Sequence, residues 1–294
     1  MMKKLVLTWW LVLSAGLAWA QAPVPLLWKV SSGSNSMYLL GSFHLLKPTD
    51  YPLAPSVDAA MADVQQLYFE VSPQEMESAD LADRMSRAAL RTDGRILQQA
   101  LPPKTWAALR AYAAKAGMPL EPLQPFKPWF VALALTLSEF QKLGFSPALG
   151  LDQHLMQAAA RSQKPTWGLE TAGAQIQMLD SMDTATQADF LAETLIDLQD
   201  MPGQTDTLHR AWREGDAKVL ERESMADLRA RFPALYTRLI VDRNRAWLPH
   251  LQALLDGKKA GGRALVVVGA LHLVGRDGVV RMLADKGYRV ERLP

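Results

Sequence analysis

Apolar residues in this chain fall either in short unbroken clusters or in longer stretches where they recur every three or four positions. The clusters Leu26–Val30 and Met37–Leu40, divided by the polar run Ser31–Ser36, predict a β-hairpin. Ser56 as an N-cap predicts a short helix through Asp63, followed by a strand over Leu67–Val71. From Pro73 to about Ala116 the spacing of Leu81, Met85, Ala88 and Ala89 is helical, with a break near Thr92–Gly94 and a second helix from Pro103. Pro119, Pro122, Pro125 and Pro128 fall every third residue, the repeat of a polyproline II segment. They read as a stiff connector whose Leu120, Leu123 and Phe126 pack inward; a proline ligand for a partner is the alternative.

Helices are predicted over Pro128–Leu143 and Leu151–Ala160, a strand over Lys164–Leu169, and helices again from Ala172 to Leu255. Gly257–Gly262 is a turn; it lacks the Gly-Lys-Ser/Thr of a phosphate loop and precedes a strand instead of opening a helix. The chain ends with a buried strand at Ala264–Val268, a helix over Arg276–Lys286 and a strand at Tyr288–Leu293. The order predicts an α/β fold: a central mixed sheet from two pseudo-symmetric halves, flanked by helices, with a helical insertion over about Pro73 to Lys164.

The start of the chain follows a different pattern. Lys3 and Lys4, the apolar run Leu5–Leu17 and then Ala18-Trp19-Ala20 are the parts of a secretory signal peptide, with cleavage expected near Ala20. The expectation is an exported protein, periplasmic or secreted, with no stable membrane anchor after cleavage, and a folded domain over residues 21–294. The run Leu5–Ala20 falls short of a bilayer span, and with no Cys there is neither a lipoprotein anchor nor a disulfide framework. Removing Lys3 and Lys4 leaves 30 basic side chains against 30 acidic ones. Without a clustered basic excess, no nucleic-acid partner is expected.

The chemistry is concentrated in an internal echo. Tyr38-Leu39-Leu40-Gly41-Ser42-Phe43-His44-Leu45 and Val266-Val267-Val268-Gly269-Ala270-Leu271-His272-Leu273 are each an apolar strand followed by Gly-x-x-His-Leu. A Gly at a strand's end lets the backbone turn, so each His projects from the carboxyl edge of the sheet, where ligands gather in open α/β folds. Phe69-Glu70 and Leu169-Glu170 form a weaker echo that places a carboxylate at the end of each stretch. Imidazole plus carboxylate is the ligand mixture of open Zn, Mn or Fe sites, in which a bound metal activates water and a spare carboxylate moves the proton. Ser42 is a conceivable nucleophile beside His44, but no Gly-x-Ser-x-Gly elbow or His-Glu-x-x-His helix is present. His209 and His250 lie in helical stretches and read as structural. Arg243 and Asn244, late in a predicted helix, offer a fork for a carboxylate or oxyanion and a holder for water or ligand.

These motifs resemble the TraB/GumN family, which is related to the TIKI proteases and more distantly to the erythromycin esterase and ChaN-like proteins. The resemblance is carried by Leu40–His44, Tyr68–Val71, Gly150-Leu151-Asp152-Gln153-His154, Gly168–Thr171, Arg243-Asn244-Arg245, Gly269–His272 and Gly287–Val290. It implies a metal-dependent hydrolase, a peptidase by analogy with TIKI members, acting on a peptide or protein substrate with Mn, Co or Zn. Carried over, His44 and His272 become ligands or catalytic histidines with Glu70 as the matching carboxylate, and Asp152, His154 and Glu170 are second-rank candidates. The same residues would also serve a haem- or metal-binding protein without hydrolysis, as in ChaN-like relatives. The GumN name adds a third alternative, an accessory protein of envelope or exopolysaccharide assembly.

Overall fold

The structure is a computed structural model that describes residues 22–259 and 262–294. The expected signal segment lies outside the described residues. In chain order the elements are β1 (Leu27–Ser32), β2 (Asn35–Ser42), α1 (Pro55–Asp63), β3 (Gln66–Val71), α2 (Pro73–Met76), α3 (Leu81–Ala89), α4 (Leu97–Ala100), α5 (Pro103–Ala116), α6 (Pro128–Lys142) and α7 (Leu151–Arg161). They continue as β4 (Thr166–Glu170), α8 (Ala172–Asp180), α9 (Thr184–Asp197), α10 (Met201–Glu214), α11 (Ala217–Arg231), α12 (Pro233–Tyr236), α13 (Asp242–Leu255), β5 (Ala264–Gly269), α14 (Val279–Asp285) and β6 (Arg289–Leu293).

The sheet is mixed, in the order β4-β3-β5-β2-β1-β6. β4, β3, β5 and β2 run parallel, and β1 pairs antiparallel with both β2 and β6. β5 is central, which explains its unbroken apolar run: a parallel strand covered on both faces has no polar side to alternate with. The two Gly-x-x-His strands are direct neighbours, with Gly41 opposite Val268 and Ser42 opposite Gly269. Four parallel strands therefore end on one edge, and whatever follows them in sequence collects there.

Helices cover the sheet through a main core that includes Leu39, Leu67, Val267, Leu155, Trp212, Trp247 and Leu283. α5, α6 and α9 build a separate core around Leu109, Val131 and Leu191. Each of those side chains is fully buried, a gain of ~1.5–3 kcal/mol apiece. The segment between β3 and β4 is helical, as expected, and so is the segment between β4 and β5. α7 packs on the sheet through Leu151, Leu155, Met156 and Ala159.

Local expectations fail in three places. α1 begins at Pro55 with Ala54 in the cap position, because Pro at the first helical position needs no N–H partner, and Ser56 lies inside the helix. The proline run is a connector but not polyproline II: Glu121–Leu123 form a 3-10 turn and Leu120 and Gln124 are helical in backbone. Packing of Leu120, Leu123 and Phe126 against the α5–α6–α9 core decides the conformation there. The helix expected from Arg276 starts only at Val279. Among the described residues, no helix is long and apolar enough to cross a membrane.

Candidate active site

The carboxyl ends of β2, β3, β4 and β5 bring together His44, Glu70, Glu170 and His272. α13 supplies the cation at their centre. Asn244, Trp247, Leu251 and Leu255 form its buried stripe, so Arg243 stands beside that stripe and faces the strand ends. The turn before it, Thr237–Val241, is π-helical, with Asp242 N–H donating to Thr237 O. One extra residue in a turn rotates everything downstream by about 100°. Such insertions recur at functional sites, and here the rotation sets the angle at which Arg243 and Asn244 enter.

Arg243 ties the carboxylates together. Its Nη2 donates to Glu70 Oε2 and Glu170 Oε1, each at 2.5 Å, and its Nε donates to Glu170 Oε1 at 3.0 Å. Nη1 donates to His272 Nε2 at 2.9 Å, and the guanidinium lies 4.9 Å from the Trp247 ring centroid. Glu70 also accepts from the Gly269 backbone N–H at 2.7 Å, and Gln175 Nε2 donates to Glu170 at 2.8 Å and to Glu70 at 3.3 Å. Burial works against the Glu70 carboxylate, but the Arg243 charge together with the two histidines and the Gly269 N–H outweighs it and holds the carboxyl well below its usual range. Arg243 in turn is held protonated: burial opposes its charge, and the charges and hydrogen bonds of Glu70 and Glu170 prevail.

The tautomer of His272 follows from its neighbours. Asn244 Nδ2 donates to the carbonyls of Asp277 at 2.8 Å and His272 at 3.3 Å, so its Oδ1 is the acceptor that faces His272 Nδ1 at 2.7 Å. Nδ1 therefore carries the proton, and Nε2 keeps its lone pair, which Arg243 meets. Burial, with Arg243 and His44 adding to it and Glu70 opposing, lowers the His272 pKa to about 3. His44 Nδ1 lies 3.1 Å from Asp152 Oδ1. Desolvation opposes the His44 cation, but the Asp152 hydrogen bond and charge, aided by Glu70, raise its pKa to about 9.

Gly150 allows the Asp152 contact. A Cβ at this position would lie 2.3 Å from the His44 carbonyl oxygen, and Leu151 N–H donates to Phe43 O at 3.1 Å, so α7 starts directly against the first motif. Gly269 serves the same purpose at the centre, since a Cβ there would meet Glu70 Oε1, His44 Nε2 and His272 Cδ2 at 3.2–3.6 Å.

The structure thus gathers seven of the residues singled out in the sequence: His44, Glu70, Asp152, Glu170, Arg243, Asn244 and His272. Asn244 is fully buried and holds His272 and the Asp277 carbonyl, which makes it a positioning residue and not a holder of water. Ser42 is near the centre, buried, with no hydrogen bond to His44. A His-activated serine nucleophile therefore lacks its contact. His154 packs at a tilt against Tyr51, with ring centroids 4.7 Å apart. His209 binds Asp50 at 2.9 Å, in keeping with a structural role. Gln175, Trp247 and the Gly269 N–H are site members that sequence reasoning missed.

Two imidazoles and a carboxylate fit a divalent ion in kind. Each Nδ1 is tied back by a carboxylate or amide oxygen, the outer-sphere arrangement of metal-ligating His, and both Nε2 atoms approach Glu70 Oε1, at 3.9 and 4.0 Å. The carboxylates Glu70, Glu170 and Asp152 also outnumber the one permanent cation at the site, Arg243. In spacing they stand apart. Among the described residues no three His, Asp or Glu side chains close on one point as an ion requires, and Arg243 takes the His272 lone pair. A haem between the two imidazoles would have to displace Gly269 and Glu70.

The fold and site define an α/β protein whose centre pairs two histidines with carboxylates around one arginine, at the carboxyl edge of a parallel strand set. The chain belongs to the TraB/PrgY/gumN family, whose model matches residues 26–292. It is similar to a protein of Escherichia coli (strain K12) named "Uncharacterized protein YbaP", with 26% identity over 251 residues, 85% of this chain and 89% of that one. The Shigella flexneri protein of the same name matches to the same extent. No solved structure matches the chain.

Proposed function

We propose that this chain is an exported metal-dependent hydrolase that acts on peptide bonds. The observation that supports it is the pair of tied-back imidazoles whose Nε2 atoms both approach the same oxygen of Glu70. In this reading His44, His272 and Glu70 would hold a divalent ion, Mn, Co or Zn, once Arg243 gives up the His272 Nε2 lone pair, and the ion would supply a polarised carbonyl and an acidified water. The low pKa of Glu70 suits a ligand and not a general base, which works best near the operating pH. Glu170 is then the carboxylate left to take the proton. Arg243 bridges the two carboxylates and offsets their mutual repulsion, and Asp152 and Asn244 orient the imidazoles. The mature protein, beginning near Gln21, would work in the periplasm or outside the cell, with a peptide or protein as its partner and no nucleic acid.

The test is hydrolysis of a mixed set of unstructured peptides by the mature protein supplied with Mn, Co or Zn. Cleavage that depends on the added ion and is lost in both His44→Ala and His272→Ala is expected. Equal cleavage by either folded variant eliminates the reading.

A further inference from the structure

His44 and Glu70 stand between two cavities. One, of about 280 Å³, includes Phe69, Met76 and Met156 in its walls; the other, of about 310 Å³, is bounded by Phe43, Phe140, Leu208, Leu220, Ile240 and Leu271. Ser42, His44 and Glu70 line both. In the second cavity the titratable groups His44, Glu70, Arg243 and His272 belong to the site already described, and the remaining walls are uncharged. An apolar cavity of about 150 Å³ already admits benzene, so 310 Å³ has room for a branched or aromatic side chain and part of its backbone. A charged side chain seated against the Phe43, Phe140, Leu208, Leu220 and Ile240 walls would leave its charge unpaired.

Ser42 adds a second observation. Its side chain is 2% exposed, and among the described residues its hydroxyl has no hydrogen-bond partner. A buried hydroxyl is normally satisfied, and an orphan on the wall shared by two cavities is available to a ligand that spans them.

We infer that the larger cavity is a specificity pocket for an apolar side chain of leucine, methionine or phenylalanine size, next to the bond that is cut, with Ser42 bonding the peptide group between the two cavities. The inference rests on the hydrolase reading for the word cut, and on the cavity alone for the side chain. An apolar pocket that loses its occupant forfeits on the order of tenfold or more in kcat/KM.

Two measurements separate the pocket from the chemistry. In the first, N-acetyl-phenylalaninamide and N-acetyl-aspartylamide are titrated into methyl-labelled mature protein. Saturable shifts at the methyls of Leu208, Leu220, Ile240 and Leu271 are expected with the phenylalanine amide and absent with the aspartyl one. Ser42→Ala should weaken that binding several-fold, and Leu208→Trp should abolish it by filling the cavity. In the second, quenched fluorescent peptides that differ at one central residue are offered with Mn. Leu, Met and Phe should exceed Gly by at least roughly tenfold, with Asp and Lys below Gly. Saturable shifts without cleavage of any peptide would sink the hydrolase reading and keep the pocket. Absence of saturable shifts in the wild type, or cleavage indifferent to the central residue, would overturn the pocket.

Discussion

The two Gly-x-x-His units occupy neighbouring strands and reach the same carboxylate, yet their histidines live in opposite electrostatic states. His272 has a side chain 6% exposed, lies 4.6 Å from the Trp247 ring and shares its Nδ1 proton with a neutral amide. His44 is 55% exposed and shares its Nδ1 proton with the Asp152 carboxylate. One pKa falls to about 3 and the other rises to about 9. A repeated motif therefore sets where the backbone turns and which edge the imidazole reaches. Burial, with Arg243 beside it, keeps His272 neutral, whereas the Asp152 carboxylate on α7 sets the charge of His44.

Arg243→Met should have the largest effect, because it strips the cation from between Glu70 and Glu170 and leaves buried carboxylates uncompensated. A loss of about 3–5 kcal/mol is expected in urea unfolding of the metal-free protein. The His272 pKa should rise, since the neighbouring positive charge has gone while Glu70 stays. Next comes Asn244→Ala, which removes the acceptor for His272 Nδ1 and orphans the Asp277 carbonyl. It should cost about 1–3 kcal/mol. Ring-nitrogen NMR should then show the single His272 tautomer lost and His44 unchanged.

The pH dependence of the metal-free protein distinguishes the two sites by sign. His272 is depressed, so its contribution is present above the unfolded His value of about 6.5 and is lost as pH falls toward about 3. His44 is raised, so its contribution is complete below about 6.5 and is lost as pH rises through about 9. Unfolding midpoints measured across pH should decline on both sides for wild type, with the alkaline decline reduced in His44→Ala and the acid decline reduced in His272→Ala. The smallest effect on stability is expected from Asp152→Asn. Solvent around the half-exposed His44 screens the pair, and the His44 pKa should fall from about 9 toward its ordinary value in an imidazole NMR titration. No downward movement would mean that Asp152 is not what charges His44.

Much of this site could be read from the sequence, because strand-Gly-x-x-His is a local signal and four parallel strands must end together. The mixed sheet and its helical cover were equally legible, since β5 and the α5, α6 and α9 periodicities are strong. Where reasoning failed, a tertiary contact decided. Asp152 and His154 sit two apart on α7, and residues so spaced face different directions, so turning Asp152 to His44 sends His154 to Tyr51. Gln175 gave no local signal: it lies in the first turns of α8, after the Thr171 cap, and its importance comes only from where β4 ends. The role of Asn244 as a prop for His272 could be seen only once α13 was docked with its Trp247 stripe inward.

The most direct test is elemental analysis of mature protein equilibrated with Mn, Co or Zn and then desalted, measured beside His44→Ala and His272→Ala. One shared site predicts roughly one divalent ion per folded chain in the wild type and near none in either variant. A wild type that retains no ion, or a variant that retains as much as the wild type, contradicts a metal held jointly by the two motifs.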